Sequence, residues 1–245
     1  MRRVLWRWRG LTIYSYPAML YAGLVLGVGA GNDAAHRAGL DPARVFAATL
    51  LLLVPALIGA RLSFVAGHWR FYRQHPRRIW RRSEGGAVMY GGLPLSLIAS
   101  VPLLGTLGLP FGAFWDVATF TILVGMLFTR LGCLLNGCCA GRPSNSRWAL
   151  YLSDHRGEWT QRIPTQLMEA GWALILLVGA SIAWAHLSFA GALFLYLLGG
   201  YGLGRLALES CRARAQTTGS FTAQHGISAG LVAVAAVGLV IGWLR

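Results

Sequence analysis

The chain has 245 residues, of which 56% are hydrophobic and only 12% charged. Soluble domains carry about 25% charged residues, so this composition excludes a disordered chain and argues against an ordinary soluble globule. All 22 basic residues are Arg, set against 8 acidic ones, for a net charge of +14. With a mean hydropathy of +0.54, that surplus fits loops beside anionic lipid head groups, and no nucleic-acid partner is expected.

In chain order, seven apolar stretches read as candidate membrane spans: Leu11–Ala30, Val45–Ala60, Ala87–Leu107, Phe111–Thr129, Leu167–Leu187, Phe189–Gly204 and Gly226–Leu244. None alternates like a barrel strand, and backbone groups in lipid need internal partners. The expected fold class is therefore all-α: a polytopic membrane protein with seven transmembrane helices. It reads as a single integral-membrane domain over residues 1–245, with a small polar lobe near 142–165. The first apolar run is longer than the roughly 7–15 residues of a signal-peptide core, so it is expected to stay as a span. Trp6 and Trp8, set among Arg2, Arg3, Arg7 and Arg9, fit an interfacial anchor.

If the spans alternate, the N-terminus and the loops after the second, fourth and sixth spans share one face and hold 19 of the 22 Arg. The positive-inside rule places that face in the cytoplasm. Four cysteines, Cys133, Cys138, Cys139 and Cys211, are too few for a disulfide scaffold. The spacing C-x4-C-C matches no common zinc pattern and no His pair follows it, so no metal and no cofactor are expected.

Three polar clusters sit where the chain enters or leaves lipid, and ionisable groups there are functional candidates. The densest runs from Arg130 to Pro143, with Gly132, Gly137 and Gly141 allowing tight turns and Arg130 and Arg142 able to fork onto phosphate oxygens. A loop with snorkelling Arg at a membrane edge would look the same. The second cluster, Tyr201 to Arg212, sets Arg205 and Glu209 one helical turn apart, where they can pair. The third, Glu84 to Pro94, flanks Tyr90 with glycines, which close helix packing also explains. Asp116 and Glu169 are acids inside apolar runs, and Arg is the expected partner of each.

In this order the segments resemble the prolipoprotein diacylglyceryl transferase family nearly end to end. Ser15 to Met19 is similar to its first-helix tyrosine motif, and Gly59-Ala60-Arg61-Leu62 to its G-G-R-[IL]. Gly86 to Leu93 resembles the H-G-G-[LI] region, and Arg130 to Arg142 the signature R-[IL]-G-x3-N-G-x3-G-R. Ile163 to Glu169 resembles H-P-[ST]-Q-L-Y-E, and Tyr201 to Glu209 the late Y-G-x2-R-x3-E; Thr218, Gly219 and Gln224 fall near the loop before the last helix. This chain departs from the pattern at four places. Tyr90 stands where many members have His, Cys133 where Asn is frequent, Cys138 where Glu is frequent, and Ile163 replaces His before Pro164. A phenol, with an unperturbed pKa of about 10, is a poor base at neutral pH.

The resemblance implies an enzyme of the bacterial cytoplasmic (inner) membrane. It would take the diacylglyceryl group of phosphatidylglycerol, pass it to the lipobox cysteine of a prelipoprotein, and release glycerol phosphate. It implies catalytic roles for Arg130, Arg205, Tyr90 and Glu209. It implies substrate binding by Tyr16, Arg61, Gly91, Gly92, Cys133, Asn136, Gly141, Arg142, Glu169 and Tyr201. The partners so implied are phosphatidylglycerol, membrane lipids and a prelipoprotein signal peptide or other acceptor. The family's usual placement has the phosphate-handling loops outside, opposite to the Arg count. Two alternatives stay open: a related lipid-head-group transferase with another, cytoplasmic-face acceptor, and a non-catalytic phospholipid-binding homologue. A small transporter usually shows paired repeats, and no repeat is visible.

Overall fold

The computed structural model describes residues 3–79, 89–154, 157–209, 211 and 220–244. The segment Glu84 to Val88 of the third cluster, and Thr218 and Gly219, lie outside the described residues. The chain opens with an antiparallel hairpin, β1 (Val4–Trp8) and β2 (Leu11–Tyr14). Helices follow: α1 (Ser15–Arg37), α2 (Pro42–Gly67), the short α3 (Trp69–Tyr72), α4 (Met89–Leu107) and α5 (Phe111–Asn136). A second hairpin, β3 (Leu150–Ser153) and β4 (Trp159–Arg162), precedes α6 (Thr165–Ala183), α7 (Ala192–Glu209) and α8 (Ser220–Trp243). Each predicted span thus contains a long helix. Among the described residues, four helical stretches, Pro42–Gly67, Phe111–Asn136, Thr165–His186 and His225–Trp243, are long and apolar enough to cross a membrane. The protein is an all-α, multi-pass membrane protein whose only sheets among the described residues are the two hairpins.

The first span begins four residues later than predicted. Leu11 to Tyr14 pair with β1 instead of extending α1, because Arg9 (φ 42°) and Gly10 (φ 85°) make a tight left-handed turn. Thr12, Ile13 and Tyr14 are good strand formers. Trp6 and Trp8 stack 5.9 Å apart and stay largely exposed, with Arg9 over the Trp8 ring. That is the amphipathic dress of a membrane interface. Elsewhere the exposed side chains are those of a lipid-facing surface: Leu57, Ile98, Ile175, Ile182 and Val237 are all well exposed along their helices.

Two compact units divide the chain: Met1–Ala34 with Trp115–Arg245, and Ala35–Phe114. In the first, α1 and α5 approach closely through Gly23, Gly27 and Gly31, spaced one turn apart. A Cβ on Gly27 would lie 2.7 Å from the carbonyl of Thr121, so the spacing of small residues sets the helix distance. Helices α7 and α8 pack in the same way, with Gly202 against Ser228 and Val232. In the second unit, α2 and α4 pack through Gly59, Gly91 and Gly92, and Ser96 donates to the carbonyl of Leu52 at 3.4 Å.

Candidate active site

Three helices of the first unit bring four charges together: Arg130 from α5, Glu169 from α6, and Arg205 and Glu209 from α7. Glu169 uses both oxygens. One lies 2.6 Å from Arg130 Nε and the other 3.2 Å from Arg205 Nη1. Arg205 Nη2 also reaches Glu209 at 2.8 Å, the one-turn pair predicted from the sequence. Glu169 and Arg205 are buried. Two arginines and two carboxylates balance, and only such pairing makes buried charge tolerable.

Arg130, Glu169, Tyr201 and Arg205, with Met126, Trp172, Gly204 and Leu208, line a cleft of about 250 Å³ including its open mouth. Arg130 meets Glu169 through Nε, and its two Nη groups carry no other hydrogen bond or ion pair among the described residues. A guanidinium anchored by one edge in a low-dielectric cleft presents the other edge to an oxyanion. Tyr16, in the first turn of α1, packs against Gly132 and lies within electrostatic reach of Arg130 and of Cys133, Cys138 and Cys139. Trp172 donates to the carbonyl of Gly200 at 2.9 Å, which holds the apolar wall of the cleft.

The segment after α5 is a tightly held loop. Asn136 ends the helix, and Gly137 (φ 76°) turns the chain where a Cβ would lie 2.8 Å from the carbonyl of Asp154. Gly141 is packed against the backbone of Ile163, leaving no room for a side chain. The backbone of Arg142 bonds Ile163 and Cys211, and the Arg142 side chain is exposed. A buried pair, Arg162 with Asp154 at 3.0 Å, locks the β3–β4 hairpin beside this loop. The Cys138 thiol sits above its ordinary pKa. Its contact with Cys133 acts to lower it, but the Cys139 thiol and burial outweigh that and keep the proton on.

Arg61, Tyr90, Gly91 and Gly92 belong to the second unit. Arg61 donates to the carbonyl of Ile79 at 2.7 Å and of Arg78 at 3.3 Å, and lies over the rings of Phe64 and Tyr72. Tyr90 stands in the first turn of α4, and Gly91 and Gly92 face α2. The expectation of an Arg partner held for Glu169 and failed for Asp116. The Asp116 carboxylate accepts the backbone N–H of Gly191 at 2.6 Å and of Phe194 at 3.0 Å, capping the start of α7. A helix N-terminus supplies partial positive charge, so no Arg is needed there. The sequence reading passed over Trp172, Thr165 and Gln166. The last two stood inside the quoted motif from Ile163 to Glu169, and they donate to the carbonyls of Cys139 and Cys138 at 3.0 and 2.9 Å.

Fold and site together define a multi-pass membrane protein in which a buried Arg205 and a half-buried Arg130 meet two carboxylates among the helices. The chain belongs to the prolipoprotein diacylglyceryl transferase family, whose model matches residues 3–241. A phosphatidylglycerol–prolipoprotein diacylglyceryl transferase of Nostoc sp. is 27% identical, over 96% of this chain and 86% of its own length. The enzyme of that name in Bacillus cereus is 28% identical over 94% of this chain and 87% of its own length. In Rhodopirellula baltica, 32% identity covers 54% of this chain and 28% of the relative.

Proposed function

We propose that this protein is a phosphatidylglycerol-dependent diacylglyceryl transferase of a bacterial cytoplasmic membrane, acting on the cysteine thiol of a prelipoprotein. The observation that carries the reading is Arg130, anchored on Glu169 through Nε in the cleft, with no other hydrogen bond or ion pair to its outer N–H groups among the described residues. The acceptor thiol gives up its proton, its sulfur bonds the glyceryl carbon, and the carbon–oxygen bond to phosphate breaks. The leaving glycerol phosphate takes the bonding pair and turns from a diester monoanion into a monoester dianion. Catalysis therefore needs donors that meet charge as it develops, and Arg130 and Arg205 fit that role. Glu169 and Glu209 hold both guanidiniums in place before the charge arrives. Tyr16 and Tyr201 supply hydroxyl donors for head-group oxygens beside Arg130, and Asn136, Gly141 and Arg142 shape the loop that follows. Motif position implies substrate binding for Cys133, Gly91, Gly92 and Arg61, although the contacts of Arg61 to the carbonyls of Ile79 and Arg78 favour a structural role for it, and Tyr90 stands where the family's base is expected.

The test is transfer of radiolabelled diacylglyceryl from phosphatidylglycerol to a lipobox peptide by the purified protein. Thioether-linked peptide and free glycerol phosphate in equal amounts are expected. Absence of both overturns the reading.

A second reading rests on the 19 of 22 Arg that alternation places on one face. It inverts the family's orientation and takes an acceptor from the cytoplasmic side. Labelling of Arg77→Cys in intact cells by an impermeant maleimide, with the parent protein as background, decides it. Modification from outside removes the inverted reading.

A further inference from the structure

The end of α5 and the loop after it hold a thiol cluster, of which the transfer reading draws on Cys133 alone, by motif position. The Sγ atoms of Cys133, Cys138 and Cys139 all lie within 4.8 Å of one another, and none is in a disulfide. Around a four-coordinate zinc with bonds of about 2.3 Å, thiolate sulfurs sit about 3.8 Å apart, and around a trigonal ion about 4.0 Å. The three thiols therefore need to close by at most about 1 Å. Linear spacing hid this, because C-x4-C-C reaches convergence through an unusual turn. Gly137 has φ 76° and Cys139 has φ 57°, and Cys139 is one of only two non-glycine residues with positive φ among the described residues. A left-handed backbone at a non-glycine residue is strained and persists only where its surroundings over-determine it. Here they do. Gln166 Nε2 holds the carbonyl of Cys138 at 2.9 Å, Thr165 Oγ1 holds that of Cys139 at 3.0 Å, and the amide of Cys138 bonds the carbonyl of Cys133 at 3.1 Å. Both side chains that fix the loop are fully buried. A strained, cross-tied turn that points three sulfurs at one place is what a preformed soft-metal site requires.

We propose that Cys133, Cys138 and Cys139 bind one soft d10 cation, zinc(II) or copper(I). Each ligating thiol releases its proton as its sulfur coordinates the ion. Cys133 is buried, Cys138 is half-buried and Cys139 is exposed, so the ion enters from the solvent side at Cys139. A three-sulfur site suits copper(I) as it stands and leaves one position on zinc(II) for water.

The site also shares both its helices with the anion cleft. Cys133 lies one turn after Arg130 on α5, and Thr165 and Gln166 lie one turn before Glu169 on α6. A bound ion would staple the end of α5 to the loop that α6 holds, and so fix the Arg130–Glu169 pair.

The experiment uses the full chain in detergent, purified with a phosphine reductant and no chelator. Metal analysis is expected to find close to one zinc or copper per chain. Titration with cadmium(II) is expected to give thiolate-to-metal absorption saturating at one equivalent, and anaerobic titration with copper(I)–acetonitrile separates the two candidate ions. Removing an outer-shell partner costs about 10–100-fold in affinity, so losing the ligand in Cys139→Ser is expected to cost more than about a hundredfold. Cys139 is exposed, so that variant keeps its fold, which its melting temperature without metal verifies. Cys211→Ser is expected to bind as the parent does. Added zinc(II) is expected to raise the melting temperature of the parent and not of Cys139→Ser. Cadmium binding in Cys139→Ser as tight as in the parent overturns the proposal. So does a Cys133–Cys138 disulfide in protein kept under argon with reductant. These readouts need no turnover, so they stand apart from the transferase assay.

Discussion

Arg205 and Arg61 both lie in segments that resemble family motifs, and their contacts among the described residues differ in kind. Arg205 is buried between two carboxylates, Glu169 at 3.2 Å and Glu209 at 2.8 Å. Arg61 is half-buried, donates to the carbonyls of Ile79 and Arg78, and rests on two aromatic rings. The difference is one of exchangeability. A phosphate can replace or join a carboxylate around a guanidinium at little net cost, because both are oxyanions with the same bidentate geometry. Pulling Arg61 off its carbonyls would leave backbone acceptors without partners. Motif position alone does not separate an arginine that works on substrate from one that fastens its own fold; the partner atoms do.

The largest effect that would break this comparison is Arg205→Ala. Removing one side of a buried ion pair costs about 3–5 kcal/mol, because the remaining charge is stranded. Here Glu209 loses its 2.8 Å partner and Glu169 one of its two. The melting temperature in detergent is expected to fall by many degrees and transfer to vanish. A variant that melts with the parent would show the carboxylate pairing to be unimportant.

Arg130→Ala comes next, with a different signature. Loss of one charge-stabilising donor typically costs about 10²–10³-fold in turnover. One carboxylate charge is left over, but Arg205 still touches both Glu169 and Glu209 and Arg130 is the less buried arginine, so the melting temperature is expected to move less than for Arg205→Ala. The loss should appear in kcat more than in KM, since the donors meet charge that develops only as the phosphate leaves. An effect on KM alone would recast Arg130 as a head-group binder.

Much of this was readable in the chain. The seven apolar runs each hold a long helix because hydrophobic length is a strong signal. The Arg205–Glu209 pair followed from one-turn spacing, and the Arg partner of Glu169 from the cost of charge in lipid. The partner of Asp116 was misread, since the same argument cannot tell a guanidinium from the N–H groups of a helix start 75 residues away. The hairpin at Leu11–Tyr14 was hidden because its residues are as apolar as the helix that follows. The meeting of three thiols was illegible for a sharper reason: it depends on the left-handed backbone of Cys139, which no spacing rule contains.

Arg61→Ala is the smallest of the expected effects on chemistry and the one that sharpens the comparison most. Each hydrogen bond from a charged group to a carbonyl is worth about 1.5–3 kcal/mol, so the variant is expected to melt several degrees lower. Turnover per folded molecule is expected to stay within a few-fold of the parent, because the contacts described for it include two backbone carbonyls and two rings that fasten it to its own fold. Arg61→Lys adds a second arm. An ammonium keeps the charge but cannot reproduce the planar fork across two carbonyls or its stacking on Phe64 and Tyr72, so stability is expected to recover only in part. The contrary result has its own pattern: unchanged melting with turnover down as far as in Arg130→Ala. That would place Arg61 with the phosphate-handling arginines, as its motif position implies. The ratio of lost turnover to lost stability, measured at Arg205, Arg130 and Arg61 alike, is then the quantity that sorts arginines which meet the lipid phosphate from those which hold the fold.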